Sequence, residues 1–379
     1  MEVLTLSRIT PDQSRQLDSI RALSAFVVLL GHTNQTMLLP TLKSGSTFVG
    51  FFTQLSVMVF FVLSGFLIGK SVCNNITKNN EFSIAQYARD RALRLYPPLI
   101  AAIVLMVLLA ALAPLLFPSG TQQFISIPGA TFVRTEFAVI AKQLFAALAF
   151  LNEFKTSTPS ANGPLWSLSL EAWYYVVAAA LFAWPSRKLV SIALLVTTVL
   201  VTRKNQLFFM LAPIWFAGFG LAFFHQRRPE MDNRLFGVLF AILTVATLAA
   251  VVLVLFADPL GKGIWLDRMN HFRLVSGLWF ACFMALIMGG GARFPTIFHS
   301  HACYSYTLYV IHFPVMLFIL GAVQTMIYGS VSLSLLASMA AICMSVALAK
   351  AIASYAENKQ LSRSIASRVF GVVRTRLAK

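Results

Sequence analysis

Arg21 and His32 are ionisable residues inside the first long apolar segment of the chain, SIRALSAFVVLLGHTNQTML. Such groups are costly within a membrane-spanning helix and usually serve a function. Eleven helical residues turn through roughly 1100°, about 20° past three full turns, so both side chains share one face. A span that begins near Ser19 leaves Arg21 at one membrane surface and His32 near mid-depth of a core about 30 Å thick. The spacing predicts a cation at the mouth of a polar track and a base inside it. The alternative is a snorkelling arginine and a histidine bonded to a neighbouring helix.

The composition indicates the class of protein that must position these residues. The chain of 379 residues is 58% hydrophobic and 11% charged, with a mean hydropathy of +0.77. A soluble domain is far less apolar. Segments of about 20 apolar residues, long enough to cross a bilayer, recur along the chain. The predicted fold class is all-α, a polytopic helical membrane protein with about ten transmembrane helices. The predicted spans are 19–40, 51–69, 96–117, 164–184, 188–202, 207–224, 235–257, 274–290, 303–328 and 331–353.

One further apolar segment, 137–152, is short and carries Lys142, Gln143 and Asn152. A segment of this length is too short and too polar for a standard crossing. We therefore predict that it is a partial or re-entrant segment.

The distribution of lysine and arginine predicts the topology. Basic residues cluster in the stretch 70–95 and in a tail, 361–379, which follows a single membrane domain predicted over 1–360. Cytoplasmic loops of membrane proteins carry an excess of such residues. Both termini are therefore predicted to be cytoplasmic. Much of the net charge of +17 then reflects topology, and no nucleic-acid partner is predicted.

A basic motif, RDRALRLYPP, is a second place where chemistry could occur. Arg91 and Arg94 are three residues apart and share a face if the segment is helical. Two guanidinium groups at a membrane surface could bind phosphate bidentately. The Tyr96–Pro97–Pro98 step predicts the end of this turn and the entry to the next span. The alternative is a positive-inside anchor that touches lipid headgroups.

Glu171 is an acidic residue well inside an apolar segment, NGPLWSLSLEAWYYVV. Ser167 precedes it by four residues, so a helix places both on one face. A buried carboxylate could orient a sugar or hold an imidazole in one tautomer. Trp166, Trp173 and Tyr174 could stack on a sugar ring, or they could be aromatic residues of the membrane interface.

Tyr306, Tyr309 and His312 recur at spacings of three in CYSYTLYVIHFPV and therefore line one helical face. Pro314 could kink this helix and free a backbone carbonyl. The alternative for His312 is an interhelical hydrogen bond. The remaining histidines are predicted in loops or at span ends: His225, His271, His299 and His301.

Five motifs in this order resemble membrane acyltransferase family three, the integral membrane O-acyltransferases of cell-surface carbohydrates. The resemblance covers roughly residues 16–360, and one departure is Ala172, where many members carry a second acidic residue. The motifs are LDSIRALSAFVVLLGH, FFVLSGFLIGK, RALRLYPP, GPLWSLSLEAWYY and SYTLYVIHFPV.

The resemblance implies a multi-pass protein of the bacterial inner membrane that uses acyl-CoA, either acetyl-CoA or succinyl-CoA, from the cytoplasmic side. The implied acceptor is a carbohydrate, either a polysaccharide repeat unit or a lipid-linked oligosaccharide. No metal is implied, membrane lipid is the surrounding partner, and a homo-oligomer is left open.

The resemblance also implies roles for individual residues. His32 would act as the base or as the acyl carrier, and Arg21 would bind donor phosphate or stabilise oxyanion charge. The implied catalytic residues are His32, Arg21 and Glu171; the implied cofactor-binding residues are Arg91, Arg94, Ser64 and Gly65; the implied acceptor-binding residues are Trp166, Ser167, Ser169 and Tyr174.

Two other functions are consistent with the same residues. A proton-coupled transporter or exporter of lipid-linked sugars could use Arg21, His32 and Glu171 as a proton relay. A non-catalytic scaffold for polysaccharide assembly is the third hypothesis, although such a protein would have little use for ionisable groups in lipid. The order of the motifs favours the enzyme.

Overall fold

The described part of the chain is built of α-helices. The computed structural model describes residues 9–42, 46–128, 134–227, 231–257 and 262–358, and these ranges contain no β-strand. The all-α prediction is therefore confirmed. The helices are α1 (Pro11–Thr33), α2 (Leu39–Leu42), α3 (Ser46–Asn79), α4 (Ile84–Leu116), α5 (Ala141–Leu148), α6 (Leu165–Ala183), α7 (Lys188–Thr202), α8 (Gln206–Arg227), α9 (Asn233–Ala257), α10 (Lys262–Met288), α11 (Ser305–Ile327) and α12 (Val331–Ala356).

The long helices confirm that this is a multi-pass membrane protein. Within the described ranges, nine helical stretches are long and apolar enough to cross a membrane. The predicted span 188–202 is α7, an apolar helix of 15 residues that is shorter than those nine. The predicted partial segment 137–152 contains α5, which has only eight residues. The predicted basic tail, 361–379, lies outside the described residues.

Helix α1 begins at Pro11, earlier than the predicted start at residue 19. The Gln13 N–H donates to Thr10 Oγ1 at 3.2 Å, and the Thr10 N–H donates to Gln13 Oε1 at 2.9 Å. This reciprocal pair is a capping box, which satisfies backbone donors at the start of a helix. Pro11 occupies the first helical position, where its missing N–H is not needed. The helix therefore starts in the polar sequence before residue 19, where this cap stabilises its first turn.

Helix α4 corrects the boundary predicted at Tyr96–Pro97–Pro98. It runs without a break from Ile84 to Leu116 and includes Pro97, Pro98 and Pro114. Proline is tolerated inside membrane helices because neighbouring groups can satisfy the backbone atoms that it frees. The arginine motif therefore lies on the same helix as the span that follows it.

A π-helical turn, Asn34–Leu38, follows directly after α1 and leads into α2. π-Helical turns are rare and occur frequently at functional sites. This turn starts two residues after His32 and carries Gln35, which is close enough to His32 to bond its side chain.

Two compact groups of helices make up the described chain. The first unit comprises the described residues of Met1–Gly31, Gly45–Ser83 and Ser167–Ala302. The second unit comprises the described residues of His32–Ser44, Ile84–Trp166 and Cys303–Lys379. The dividing points fall inside α1 and inside α6, so each of these helices contributes to both units.

In the first unit, α3 packs closely on α8, and α10 contacts α3, α8 and α9. A Cβ atom added to Gly65 on α3 would lie 2.0 Å from the Trp215 carbonyl oxygen, and one added to Gly218 on α8 would lie 2.1 Å from the Val62 carbonyl oxygen. No real side chain fits at such distances, so only glycine permits this approach. Small residues have this role in many membrane helix pairs.

In the second unit, α11 packs against α4 and α12 and is buried along most of its length. Pro314 lies within α11 and has no N–H for the carbonyl oxygen of Val310, four residues earlier. That oxygen instead accepts a hydrogen bond from Asn162 Nδ2 at 2.8 Å. The freed carbonyl expected from Pro314 is therefore satisfied by a side chain of the segment before α6.

Two glycines of α8 provide a matched test of the helix approach. We expect Gly218→Ala to destabilise the protein, because the new methyl group would collide with the Val62 backbone. Overpacking of this kind costs about 1–3 kcal/mol. Gly220→Ala should be neutral, since nothing lies within 4 Å of a Cβ there. Thermal unfolding of both variants in detergent measures the difference, and equal melting temperatures would contradict the close approach.

Candidate functional site

The residues predicted from the sequence are divided between the two units. His32, Arg91, Arg94 and Trp166 belong to the second unit. The first unit holds the others: Arg21, Ser64, Gly65, Ser167, Ser169, Glu171 and Tyr174. Some of them belong to a polar cluster in each unit, and these two clusters have different chemistry.

The histidine cluster of the second unit consists of His32, Gln35, His312 and Phe313. The His32 ring stacks on the His312 ring, with centroids 5.5 Å apart and an angle of 24° between the planes. Phe313 meets His32 edge-on, with centroids 5.2 Å apart at 84°. His32 Nδ1 lies 3.1 Å from Gln35 Oε1. A segment near the N-terminus and the late helix α11 thus bring two imidazoles together.

Hydrogen bonds define the proton positions on both imidazoles. His312 Nδ1 lies 3.1 Å from the Leu308 carbonyl oxygen and 2.8 Å from that of Tyr309, so Nδ1 must carry the hydrogen. His312 Nε2 is buried and has no hydrogen-bond partner. A second N–H there would be an unsatisfied buried donor, which favours the neutral ring. The Gln35 oxygen likewise assigns the hydrogen of His32 to Nδ1 and leaves a lone pair on Nε2.

Arg134 is a charged residue beside this cluster that the sequence analysis missed. Its guanidinium carbon lies 5.9 Å from the centroid of the Phe313 ring. Burial lowers the pKa of this guanidinium, whereas the Glu153 carboxylate acts to raise it. A single arginine in the connection after α4 carries no motif, so only its position near Phe313 marks it as a candidate.

Arg21 has its own carboxylate partner in the first unit. Its Nη2 lies 3.0 Å from Asp18 Oδ1, one helical turn earlier, and donates to the Ala302 carbonyl oxygen at 3.1 Å. The ion pair is visible in the sequence as an i, i+3 spacing. The Asp18 carboxylate offsets part of the positive charge of Arg21, on which its predicted oxyanion role depends.

The glutamate cluster of the first unit consists of Ser64, Glu171, Tyr175 and Trp215. Glu171 Oε1 accepts hydrogen bonds from Ser64 Oγ at 2.5 Å and from the Tyr175 hydroxyl. The Trp215 indole N–H donates to Ser64 Oγ at 3.1 Å. The carboxylate in the apolar helix therefore has partners from α3 and from its own helix. Tyr175 lies four residues after Glu171, a spacing that the sequence already contains.

Ser64 and Tyr174 lie in surroundings that the sequence analysis did not anticipate. Ser64 forms hydrogen bonds within the glutamate cluster, and its implied cofactor-binding role stays a prediction. Tyr174 is fully buried, donates to the Phe208 carbonyl oxygen at 2.5 Å, and stacks on the Phe208 ring with centroids 4.7 Å apart. This position makes Tyr174 part of an aromatic core, and its implied acceptor-binding role stays a prediction.

Ser167 and Ser169 are buried in α6, and Trp166 is half-buried at its start. Gly65 lies where α3 and α8 approach each other closely. Its implied cofactor-binding role stays a prediction.

Arg91 and Arg94 lie on α4, the former half-buried and the latter exposed. The guanidinium carbon of Arg91 lies 5.9 Å from the Tyr87 ring centroid, one helical turn earlier. Both arginines belong to the same unit as His32. Arg94 is exposed, so the rest of the protein leaves its guanidinium accessible.

A family model for an acyltransferase domain matches residues 14–354, nearly the whole chain. The chain belongs to acyltransferase family 3. The resemblance inferred from the five motifs is therefore confirmed. An uncharacterised protein of Haemophilus influenzae is 30% identical over 129 residues, which span 31% of this chain and 45% of that relative. No solved structure matches the chain significantly.

Membership of acyltransferase family 3 gives the histidine cluster a chemical context. Acyl transfer to a hydroxyl needs a base, and His32 Nε2 offers a lone pair. A transporter needs no acyl chemistry, so the family favours the enzyme among the three hypotheses.

The acyltransferase also contains a buried Lys70–His225 pair between α3 and α8. Lys70 Nζ lies 2.7 Å from His225 Nδ1, and Lys70 is only 7% exposed. His225, predicted in a loop or at a span end, lies near the end of α8 and is 2% exposed. The close packing of α3 on α8 buries both residues. His271 lies inside α10 rather than in a loop.

Two substitutions of Glu171 test whether the cluster stabilises the acyltransferase. Glu171→Ala should lower the thermal unfolding temperature in detergent, because the Ser64 and Tyr175 hydroxyls lose their acceptor. Each lost hydrogen bond contributes about 0.5–1.5 kcal/mol, and the two hydroxyls, 3.2 Å apart, still have each other as partners. Glu171→Gln retains a carbonyl oxygen and should lose less. Glu81→Ala, at an exposed carboxylate, serves as the control. If the alanine variant of Glu171 melts like the wild type, the cluster has no stabilising role.

Proposed function

We propose that this membrane acyltransferase moves an acyl group from acyl-CoA to a hydroxyl of a surface polysaccharide or of its lipid-linked precursor. The observation that carries the proposal is the imidazole of His32, whose Nδ1 faces Gln35 and whose Nε2 can accept a proton. Family membership supports the reaction class. The donor, the acceptor and the role of His32 are the proposal.

The transfer step needs a base because an alcohol is a poor nucleophile near neutral pH. His32 Nε2 takes the hydroxyl proton as the acceptor oxygen attacks the thioester carbon, and the carbonyl electron pair moves to oxygen. The intermediate then collapses, the C–S bond breaks, and the CoA sulfur leaves with the proton held by His32. Gln35 keeps Nδ1–H bonded throughout, so that Nε2 alone exchanges protons.

A two-step route uses the same nitrogen. His32 Nε2 would attack the thioester, form an acyl-imidazole and release CoA, and the carbohydrate hydroxyl would then take the acyl group. His312 is the neighbouring base, with its buried Nε2 lacking a partner and its ring stacked on His32. We therefore propose that His312 holds the His32 ring in place in either route.

The donor is proposed to bind from the cytoplasmic side through Arg91 and Arg94. CoA carries a diphosphate and a 3′-phosphate, and guanidinium groups bind such groups through paired hydrogen bonds. The arginine motif continues directly into the span of α4. Both acetyl-CoA and succinyl-CoA remain candidates, and the excess of basic residues is compatible with the extra carboxylate of a succinyl group.

The acceptor is proposed to be bound by residues of the WSLSLE segment, Trp166, Ser167 and Ser169, with Glu171 as the nearby carboxylate. A tryptophan that is half-buried can stack on a sugar ring, and hydroxyls can bond its substituents. The proposed location is the bacterial inner membrane with both termini on the cytoplasmic side, supported by the positive-inside distribution of lysine and arginine.

His32→Ala should abolish acyl transfer while the protein still inserts and folds, because the alcohol loses its base. The measurement is release of CoA from acetyl-CoA or succinyl-CoA by protein purified in detergent and supplied with polysaccharide from a deletion strain. His299→Ala, at an exposed histidine, should retain activity. Transfer at the wild-type rate by His32→Ala would remove His32 from the reaction. Release of CoA without any membrane gradient also separates the enzyme from a transporter.

Arg91→Gln and Arg94→Gln should weaken donor binding more than they slow the chemistry. The expected signature is a raised KM for acyl-CoA, since each lost charge-assisted hydrogen bond is worth about 1.5–3 kcal/mol. Lys78→Gln, at an exposed cation at the end of α3, controls for the loss of positive charge. An unchanged KM in both single variants and in the double variant would mean that the pair only anchors the membrane surface.

A further inference from the structure

Arg134 is held in place by Gly163 and Phe313 of the same unit. A Cβ atom added to Gly163 would lie 2.5 Å from Arg134 Nη2 and 3.8 Å from Phe313 Cε1. The missing side chain at residue 163 therefore makes room for the guanidinium. The cation lies 5.9 Å from the centroid of the Phe313 ring, within the range of a cation–π interaction.

Phe313 connects this cation to the base. The ring that meets the Arg134 guanidinium also meets the His32 imidazole edge-on, with centroids 5.2 Å apart. Arg134 and His32 interact electrostatically. A substrate carbonyl next to His32 would therefore lie within the field of a fixed positive charge.

Arg134 and Arg21 each have an acidic neighbour. Arg21 has a carboxylate oxygen of Asp18 at 3.0 Å on its own helix. Arg134 feels the attraction of Glu153, whose Oε1 also accepts the Thr158 N–H at 3.0 Å. Partial burial lowers the pKa of the Arg134 guanidinium, because the surrounding protein solvates the cation less well than water does. Such a cation interacts strongly with an anion that forms beside it.

We propose that Arg134 stabilises the negative charge on the thioester carbonyl oxygen during transfer, an assignment that rests on the proposed function. The family resemblance implied that Arg21 would either bind donor phosphate or stabilise this charge, and the contact of Arg134 with Phe313 supports Arg134 for the second role. Preorganised donors aimed at a developing oxyanion are among the largest contributions to catalysis.

The step balances without any further reactant. The acceptor oxygen bonds to the carbonyl carbon, its proton passes to His32 Nε2, and the π electron pair of the C=O bond moves to oxygen. The guanidinium donates to that oxyanion while imidazolium and oxyanion coexist. When the C=O bond re-forms, the C–S bond breaks, CoA sulfur takes the proton from His32, and Arg134 returns to its resting contacts.

Three variants test the assignment in membranes of a deletion strain, which contain the natural acceptor. Arg134→Gln removes the charge, and Arg134→Lys keeps it without the planar fork. Gly163→Ala keeps Arg134 but displaces its guanidinium. This variant therefore tests the same assignment if the Arg134 variants fold poorly. Lys155→Gln, at an exposed cation of the connection after α5, is the matched control. Transfer of radiolabelled acetyl and succinyl groups from CoA is measured to obtain kcat and KM.

We expect Arg134→Gln to lower kcat about 10²- to 10³-fold with either donor, the range found when one oxyanion donor is removed. The KM for each acyl-CoA should change by less than about twofold, because the interaction forms only in the transition state. Arg134→Lys should recover part of the rate, Gly163→Ala should lower kcat, and Lys155→Gln should match the wild type.

Other results would overturn the assignment. A raised KM with unchanged kcat would make Arg134 a binding residue for the ground state. A loss confined to the succinyl donor would make it a ligand of the acyl carboxylate. Wild-type kinetics in both Arg134→Gln and Gly163→Ala would leave it a structural cation. A wild-type protein that transfers neither acyl group would overturn the proposed function as well, which distinguishes the two failures.

Discussion

Polar groups inside membrane-spanning helices must find their hydrogen-bond partners within the protein, because lipid offers none. Glu171 meets this constraint with two hydroxyls, one from α3 and one from its own helix. Arg273 on α10 donates from Nε to Gln54 Oε1 on α3 at 2.8 Å. These bonds join helices that are far apart in sequence. A polar residue in such a helix therefore selects the neighbour that can satisfy it.

Helix α11 shows how the same constraint produces a chemical site. Pro314 leaves the Val310 carbonyl without its helical donor, and Asn162 supplies one. The two carbonyls that face His312 Nδ1 come from the preceding turn of the same helix. The imidazole is thus anchored by its own backbone, and its ring stacks on that of His32. Pro314 removes the helical donor of one backbone carbonyl, whereas His312, two residues earlier, donates to two others.

The glutamate cluster and the histidine cluster differ in which of their polar atoms are occupied by hydrogen bonds. In the glutamate cluster, the Trp215 indole, the Ser64 hydroxyl and the Tyr175 hydroxyl all converge on one carboxylate oxygen, directly or through Ser64. Such a network is suited to holding helices in register. In the histidine cluster, hydrogen bonds occupy Nδ1 of each ring and direct the lone pairs to Nε2. The proposed proton transfer is therefore assigned to the histidine cluster, whereas Glu171 joins α3 to α6 through its bond with Ser64.

Much of the architecture was determined by the sequence itself. Long apolar segments can cross a bilayer only as helices, so the all-α class, the spans and the short segment at 137–152 followed from composition and length. The order of the five motifs led to the family, and the i, i+4 spacing of Glu171 and Tyr175 was already present in the chain. Segment length, composition and i, i+4 spacing can be read from the sequence because they involve only residues that are neighbours along one helix.

Contacts between helices were decided only by the tertiary structure. The stacking of His32 on His312, the burial of Lys70 against His225 and the position of Arg134 on Phe313 all join residues that no local spacing relates. A lone arginine in a connecting segment has the same sequence signal whether it faces solvent or a catalytic base. Its role depends on which side chains packing places around it, because the strength of a charge interaction depends on distance and on the surrounding dielectric.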